Sequence, residues 1–322
     1  MKIVVLDGHT LNPGDLSWSR FEAMGAVTVY ERSGYSAAER ATILQRAQGA
    51  DVLLINKTPL DRATLPSLRP ELKYIGILAT GYNVVDLEAA ALAGITVTNI
   101  PGYGTRAVAQ HAFALLLELT NHCGLHDRAV KAGRWSDAPD FCFWDAPLTE
   151  LEGKTMGIVG LGRIGQQTAK LAAAFGMKVI AYHHVPIITQ TAELCSWDEL
   201  LHQSDVISLH CPLTASTQHL IDRQALSQMK RQALLINTSR GPLINEADLA
   251  AALQQGVIAG AGLDVVAEEP ITKSNPLLTA PNCILTPHIA WASQDSRQRL
   301  LNLAADNLAA FIAGQPQNVV SI

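Results

Sequence analysis

A chain of 322 residues that is 48% hydrophobic and 16% charged can fill more than one buried core. A formal net charge of −5 and a pI near 6.0 speak against nucleic acid as a partner, and no apolar run approaches the ~18 residues of a membrane helix. The run Ile3–Leu6 is too short for a signal peptide and the five cysteines form no C-x-x-C pair, so a reduced, cytoplasmic protein is expected.

Apolar runs at Lys2–Leu6, Val27–Tyr30, Val52–Ile55, Tyr74–Leu78 and Thr96–Asn99 read as strands. Helical segments lie between them, among them Ala37–Gln48 and Val85–Ala93, the second closed by Gly94 as a C-cap. Such alternation predicts a parallel sheet with helices on both faces. No glycine fingerprint occurs in this part, which reads as a nucleotide-fold relative that holds no nucleotide. Thr80-Gly81-Tyr82-Asn83 follows the fourth strand, at the edge where such sheets place ligands. There Gly81 either bares backbone N–H groups to a small carboxylate or makes an ordinary turn.

From Arg106 to Asn121 a helical pattern is apolar around most of its circumference, which predicts burial between domains or in a subunit interface. The segment Arg134–Pro147 then sets Trp135, Phe141, Phe143 and Trp144 in a stretch without periodicity. It packs either on a partner subunit or as a flap over the protein's own body.

The stretch Thr155–Gly165 is the strongest local signal. An apolar strand, Met156–Val159, feeds Gly160, Gly162 and Gly165 at G-x-G-x-x-G spacing, and a helical pattern follows from Gln166 to Phe175. Gly160 suits a tight turn, Gly162 a close approach of pyrophosphate, and Gly165 close helix–strand packing. The N–H groups and positive dipole end of the helix then face phosphate. After the next strand, Lys178–Tyr182, an NAD site expects an acid for the ribose 2′-hydroxyl. Here the chain has His183-His184-Val185-Pro186, and the next acid is Glu193. The repulsion of a 2′-phosphate is therefore absent. This predicts tolerance of NADP with a lean towards it, although no Lys or Arg follows until Arg223.

Further strand–helix units end in polar loops, at Asp205–His210, Ala233–Asn237, Ile258–Asp264 and Cys283–Leu285. Arg240, Glu269 and His288 stand at such ends. An arginine beside a glycine offers a two-pronged grip to a carboxylate, and a histidine with a carboxylate partner is a general acid/base. Taken singly, each also reads as a surface or structural residue. No cluster at metal-ligand spacing appears.

The glycine loop, Asn237-Thr238-Ser239-Arg240-Gly241, Gly262-Leu263-Asp264-Val265 with Glu269-Pro270, and Thr286-Pro287-His288 occur in an order that resembles the D-isomer-specific 2-hydroxyacid dehydrogenases. The resemblance spans essentially the whole chain. Pro13-Gly14-Asp15-Leu16-Ser17-Trp18, Asn56-Lys57-Thr58, Gly102-Tyr103-Gly104-Thr105, Val108-Ala109-Gln110-His111 and the aromatic stretch at 134–144 look like the glycerate dehydrogenase, or hydroxypyruvate reductase, branch.

The resemblance implies two doubly wound parallel-sheet α/β domains. A Rossmann cofactor domain, residues 100–289, is inserted into a flavodoxin-like substrate domain, residues 1–99 and 290–322. A helix over Asp295–Ala313 returns to the first domain, and the cleft closes on the ternary complex. It implies that Arg240 holds the substrate carboxylate and polarises the keto oxygen, that His288 gives that oxygen its proton, and that Glu269 supports His288. Gly81 and Tyr82 contact substrate. Arg163, Ile164 and the three glycines face the pyrophosphate, with Thr217 near the adenosine half and His183 at the ribose. Thr238, Asp264 and Trp291 lie at the nicotinamide, with Thr80 and Pro212 also near the cofactor. The expected partner is a small 2-keto or 2-hydroxy acid, and the expected assembly a homodimer. A formate-dehydrogenase role fits less well, because that branch pairs histidine with glutamine and this chain has Glu269. A phosphoglycerate dehydrogenase and a non-catalytic NAD(H)-sensing protein stay open as alternatives.

Overall fold

The computed structural model describes residues 1–68, 70–185 and 189–321. The chain divides into two compact units, residues 1–104 with 292–322, and residues 105–291. The sequence-based bounds, 99/100 and 289/290, fall a few residues earlier. Residues 100–104 stay with the first unit because Ile100 N–H donates to Ala79 O, and Ile100 O accepts from Thr80 Oγ1 at 2.8 Å.

The first unit opens with β1 (Lys2–Val5), α1 (Ser19–Glu22), β2 (Ala26–Val29), α2 (Arg40–Ala47), β3 (Val52–Ile55), β4 (Tyr74–Ile77), α3 (Leu87–Leu92) and β5 (Thr96–Thr98). The strands pair in parallel in the order β2-β1-β3-β4-β5. Every residue of β3 and β4 is buried, the continuous apolar run of a parallel strand covered on both faces. The helix expected from Val85 starts only at Leu87, because the Asp86 carboxylate accepts from Ala89 N–H at 2.9 Å and caps it there. The segment expected as one helix over Ala37–Gln48 is a 3-10 turn, Ala37–Glu39, followed by α2.

The second unit runs α4 (Thr105–Asn121), α5 (Cys123–Lys131), β6 (Thr155–Val159), α6 (Arg163–Ala174), β7 (Lys178–Tyr182), β8 (Glu193–Leu194), α7 (Trp197–Gln203), β9 (Val206–Leu209), α8 (Arg223–Gln228), β10 (Leu234–Asn237), α9 (Glu246–Gln255), β11 (Gly260–Leu263) and β12 (Cys283–Leu285). Its sheet is parallel in the order β12-β11-β10-β9-β6-β7-β8, so strand order reverses between β6 and β9. That is where a doubly wound sheet opens a crevice at its carboxyl edge. One apolar layer gathers Leu200, Leu226, Leu249 and Ile258, and the other sets Leu115, Leu116 and Leu119 of α4 against Ala169 and Ala172 of α6. Each of those leucines contributes about 1.5–3 kcal/mol by leaving water.

Within the single chain, helix α4 buries one face, from Val108 to Thr120. Arg106, Gln110 and Ala114 form an open stripe along it. Helix α5 was not legible in the sequence and buries no side chain. It begins after a break at His122, whose backbone is left-handed with φ 49°. Beyond it, Trp135, Phe141 and Trp144 are 52%, 89% and 67% exposed. The Arg134 guanidinium lies 4.5 Å over the Phe143 ring and pairs with Asp145.

The final helix, α10 (Gln294–Ile312), belongs to the first unit. Phe311 packs on Tyr74 with ring centroids 4.9 Å apart. At its start Arg297 grips both oxygens of Asp15, at 2.8 and 2.7 Å, and donates to Leu11 O and Ala292 O. This planar fork holds the Asp15 carboxyl below its usual range.

Candidate active site

The glycine loop joins β6 to α6 at the reversal of strand order. Gly160 has φ +93°, and a Cβ there would meet Cys211 N at 2.7 Å. A Cβ on Gly165 would lie 2.1 Å from Gly160 O, so only glycine lets α6 sit this close to the loop. A Cβ on Gly162 would meet nothing within 4 Å. The open space therefore lies over Gly162, at the N-terminus of a twelve-residue helix whose first N–H groups point into it. Arg163 is exposed and Ile164 half-buried at the same end. Buried just after β10, the Thr238 hydroxyl has no hydrogen-bond partner among the described residues. An open cradle of N–H donors with an orphaned hydroxyl on the same sheet edge fits a dinucleotide.

His183 directly follows β7, where an acid was expected. Its Nδ1 accepts from Leu161 N–H at 3.1 Å, so the ring is bound to the glycine loop and is not a solvated loop residue. His184 is exposed, and Pro186 lies outside the described residues. Pro212 is exposed, and its carbonyl accepts from Thr217 Oγ1 at 2.7 Å, which turns the loop after β9.

Arg240 follows β10 in a loop built by Asn237. The Asn237 amide donates to Arg240 O at 2.9 Å, and its oxygen accepts from Ser239 N–H. Gly241 fixes where this loop lies, because a Cβ there would sit 1.9 Å from Val266 C. The Arg240 loop thus packs backbone to backbone on the loop that carries Glu269. The guanidinium is exposed, with Nη1 donating to Ser239 O at 2.7 Å. Glu269 in turn meets His288, with Oε2 and Nδ1 2.6 Å apart. Beyond this bond the His288 side chain stays part-exposed.

His288 has φ +56°, a left-handed backbone uncommon for a residue with a Cβ and characteristic of functional sites. Asp264 enforces it. Its carbonyl accepts from His288 N–H at 2.8 Å, and its carboxylate accepts from Thr286 Oγ1 at 2.6 Å, Ile289 N–H at 2.9 Å and Ala290 N–H at 2.8 Å. Asp264 is 1% exposed. Burial pushes its carboxyl up, and the donors of His111, Thr286, Ala290 and Ile289 outweigh this and hold it below its usual value. Trp291 closes the segment by donating from Nε1 to His288 O at 2.9 Å.

The structure thus brings Arg240, Glu269, His288 and Asp264 to one edge of the second unit's sheet, with Thr238 and the glycine loop on the same edge. Thr80, Gly81 and Tyr82 belong to the first unit, where they follow β4. Thr80 is fixed by Ile100 O and by Asn99 Nδ2, which donates to Thr80 O at 2.7 Å. Sequence reasoning passed over Thr286 and His111 as site residues; a lone histidine on an apolar helix was the available signal. Among the described residues no group of three or more His, Cys, Asp or Glu side chains is placed to hold a metal ion.

Comparison with known proteins agrees with this architecture. Residues 113–290 match the family of the D-isomer specific 2-hydroxyacid dehydrogenase, NAD binding domain. The chain is 51% identical over 324 residues to a hydroxypyruvate reductase of Blautia hydrogenotrophica, covering 100% of both chains. It is 43% identical to a glycerate dehydrogenase of Methylorubrum extorquens, over 99% of this chain and 98% of that one. A solved acyclic imino acid reductase, in complex with NADPH and D-Arg, superposes with a TM-score of 0.85 at 32% identity, covering 99% of this chain and 100% of that one. With a family match over residues 113–290 and relatives along its whole length, the chain belongs to the D-isomer-specific 2-hydroxyacid dehydrogenases.

Proposed function

We propose that this protein reduces a small 2-keto acid, of hydroxypyruvate or glyoxylate type, to the D-2-hydroxy acid, and runs the reaction in reverse. The observation that carries the reading is the His288–Glu269 pair beside the Arg240 loop. Residues 105–291 serve as the cofactor unit, and the first unit contributes Gly81 and Tyr82 to the substrate, a role resting on the family resemblance alone. A bound nicotinamide dinucleotide supplies the hydride for reduction. Arg240 binds the carboxylate with its planar fork and draws charge from the keto oxygen. Glu269 accepts from Nδ1–H of His288, which fixes the tautomer and orientation of the ring. Nε2–H of His288 then gives its proton to the oxygen as negative charge develops there, and takes it back in oxidation.

For the cofactor, the reading is tolerance of NADP with a lean towards it. No carboxylate stands at the end of β7 to repel a 2′-phosphate. With Nδ1 of His183 accepting from Leu161, the ring proton sits on Nε2, a neutral donor that a phosphate oxygen can use. The similarity to a reductase solved with NADPH supports this. The test is turnover of glyoxylate, hydroxypyruvate, pyruvate and phosphohydroxypyruvate, each with NADH and NADPH. Reduction of hydroxypyruvate to the D-2-hydroxy acid and of glyoxylate to the achiral glycolate is expected, with His183→Asp swinging preference to NADH. Clear preference for NADH in the unaltered protein rejects the cofactor reading, and absence of turnover with all four acids rejects the activity. Phosphohydroxypyruvate as the best substrate would identify a phosphoglycerate dehydrogenase instead.

A further inference from the structure

The glycerate-dehydrogenase-like stretch Val108–His111 places a histidine on α4, next to a buried face that is apolar apart from Thr120. His111 Nε2 lies 3.0 Å from Thr286 Oγ1 and 3.4 Å from Asp264 Oδ1. The hydroxyl of Thr286 has one proton. At 2.6 Å from a buried carboxylate oxygen, that proton belongs to Asp264. Thr286 Oγ1 must then accept from His111, so Nε2 of His111 carries a hydrogen. If Thr286 turned its proton to the imidazole, Asp264 would lose its donor on the near side of His288.

Those bonds bracket the residue read above as the proton donor. Asp264 holds Thr286 two residues before His288, and Ile289 and Ala290 one and two residues after it. The left-handed backbone of His288 sits between these anchors, and the direction of the His288 ring follows from that backbone.

We propose that His111 is a positioning residue for the reaction: its Nε2–H sets the Thr286 hydroxyl, which completes the Asp264 grip on residues 286–290 and so aims His288. The inference rests on the reading of His288 given above, but its structural half can be tested without turnover.

The experiment compares His111→Ala, His111→Gln, Thr286→Val, Thr286→Ser and the His111→Ala/Thr286→Val double variant. Glutamine places an N–H near the position of Nε2, and serine keeps the hydroxyl. Two quantities are read: hydrogen exchange of the 286–291 segment in the protein without cofactor, and kcat and KM with a 2-keto acid. In His111→Ala and in Thr286→Val, exchange at Ile289 and Ala290 should quicken about tenfold. In the same two variants kcat should fall about 10- to 100-fold, the scale of an ångström-sized misplacement, while both KM values stay within about twofold. His111→Gln and Thr286→Ser should recover most of both losses. The double variant should lose clearly less than the sum of its parents, because both residues act on the same Asp264 carboxylate. Unchanged exchange and kcat in His111→Ala, a glutamine variant as impaired as alanine, or additive losses in the double variant would each overturn the proposal. If exchange follows this pattern in a protein that turns over no 2-keto acid, the positioning network stands and the activity assigned above is what fails.

Discussion

At the scale of single residues, His288 combines a carboxylate partner with a left-handed backbone, and both are held from outside its own segment. Replacement by alanine should cut the turnover number about 10²–10⁴-fold, the usual weight of general acid catalysis. Steady-state kinetics with a 2-keto acid would show it; near-normal turnover would move the proton-donor role elsewhere. His210, after β9, predicts a different effect. Its Nε2 bonds Ser208 Oγ at 2.9 Å, while Nδ1 is enclosed without a partner among the described residues. Burial pushes its pKa down to about 4, against ~6.5 in an unfolded chain. Between those values the unfolded chain binds a proton that the folded one refuses. Stability is therefore complete above ~6.5 and falls as the pH drops towards 4, by at most about 3 kcal/mol for a half-buried ring. Urea midpoints at pH 7.5 and 4.5 should differ less in His210→Asn than in the unaltered protein. An equal difference would show that the ring does not govern that window.

At the scale of elements, the glycine loop separates two kinds of necessity. Gly165→Ala would force α6 off the loop, because the new carbon meets a backbone oxygen. A cost of about 1–3 kcal/mol is expected, seen as a lower melting temperature. Gly162→Ala meets nothing in the protein, so it should melt like the parent yet bind NADPH at least about tenfold more weakly, by filling the cradle. Fluorescence titration against thermal melts separates the two; if Gly162→Ala binds normally, the phosphates lie elsewhere. The buried strands were legible because a parallel strand covered on both faces must be an apolar run, as in β3, β6 and β10. Short or exposed elements were not. The two residues of β8 owe their state to pairing with β7, and α5 buries no side chain that could have set a period. The site was legible in part, as ionisable residues at strand ends. That Glu269 meets His288 depends on how Gly241 packs on Val266 and on Asp264 reaching forward 22 residues to Thr286 and beyond, which no local pattern encodes.

At the scale of the whole molecule, the open stripe of α4, the uncovered α5 and the exposed aromatic segment lie together in one stretch of the second unit's sequence. The apolar part of this surface, Trp135, Phe141 and Trp144, marks an interface, and a second copy of the chain is the expected cover. Light scattering should give twice the 34.5 kDa of one chain; a stable monomer at micromolar concentration would exclude the dimer. Trp144→Ser should weaken the association and leave the fold of each chain intact.

The fork between Arg297 and Asp15 carries a consequence for synthesis. Its two ends are 282 residues apart, and the whole second unit lies in sequence between them. On the ribosome, residues 1–104 emerge first but lack α10, which covers Tyr74 and anchors Asp15. The inserted unit has its own sheet and both of its apolar layers complete before α10 is made. The order of birth and the order of folding should therefore differ: the middle of the chain settles while its beginning waits for its end. A released fragment ending at about residue 295 should resist protease over 105–291 and remain cleavable before residue 104.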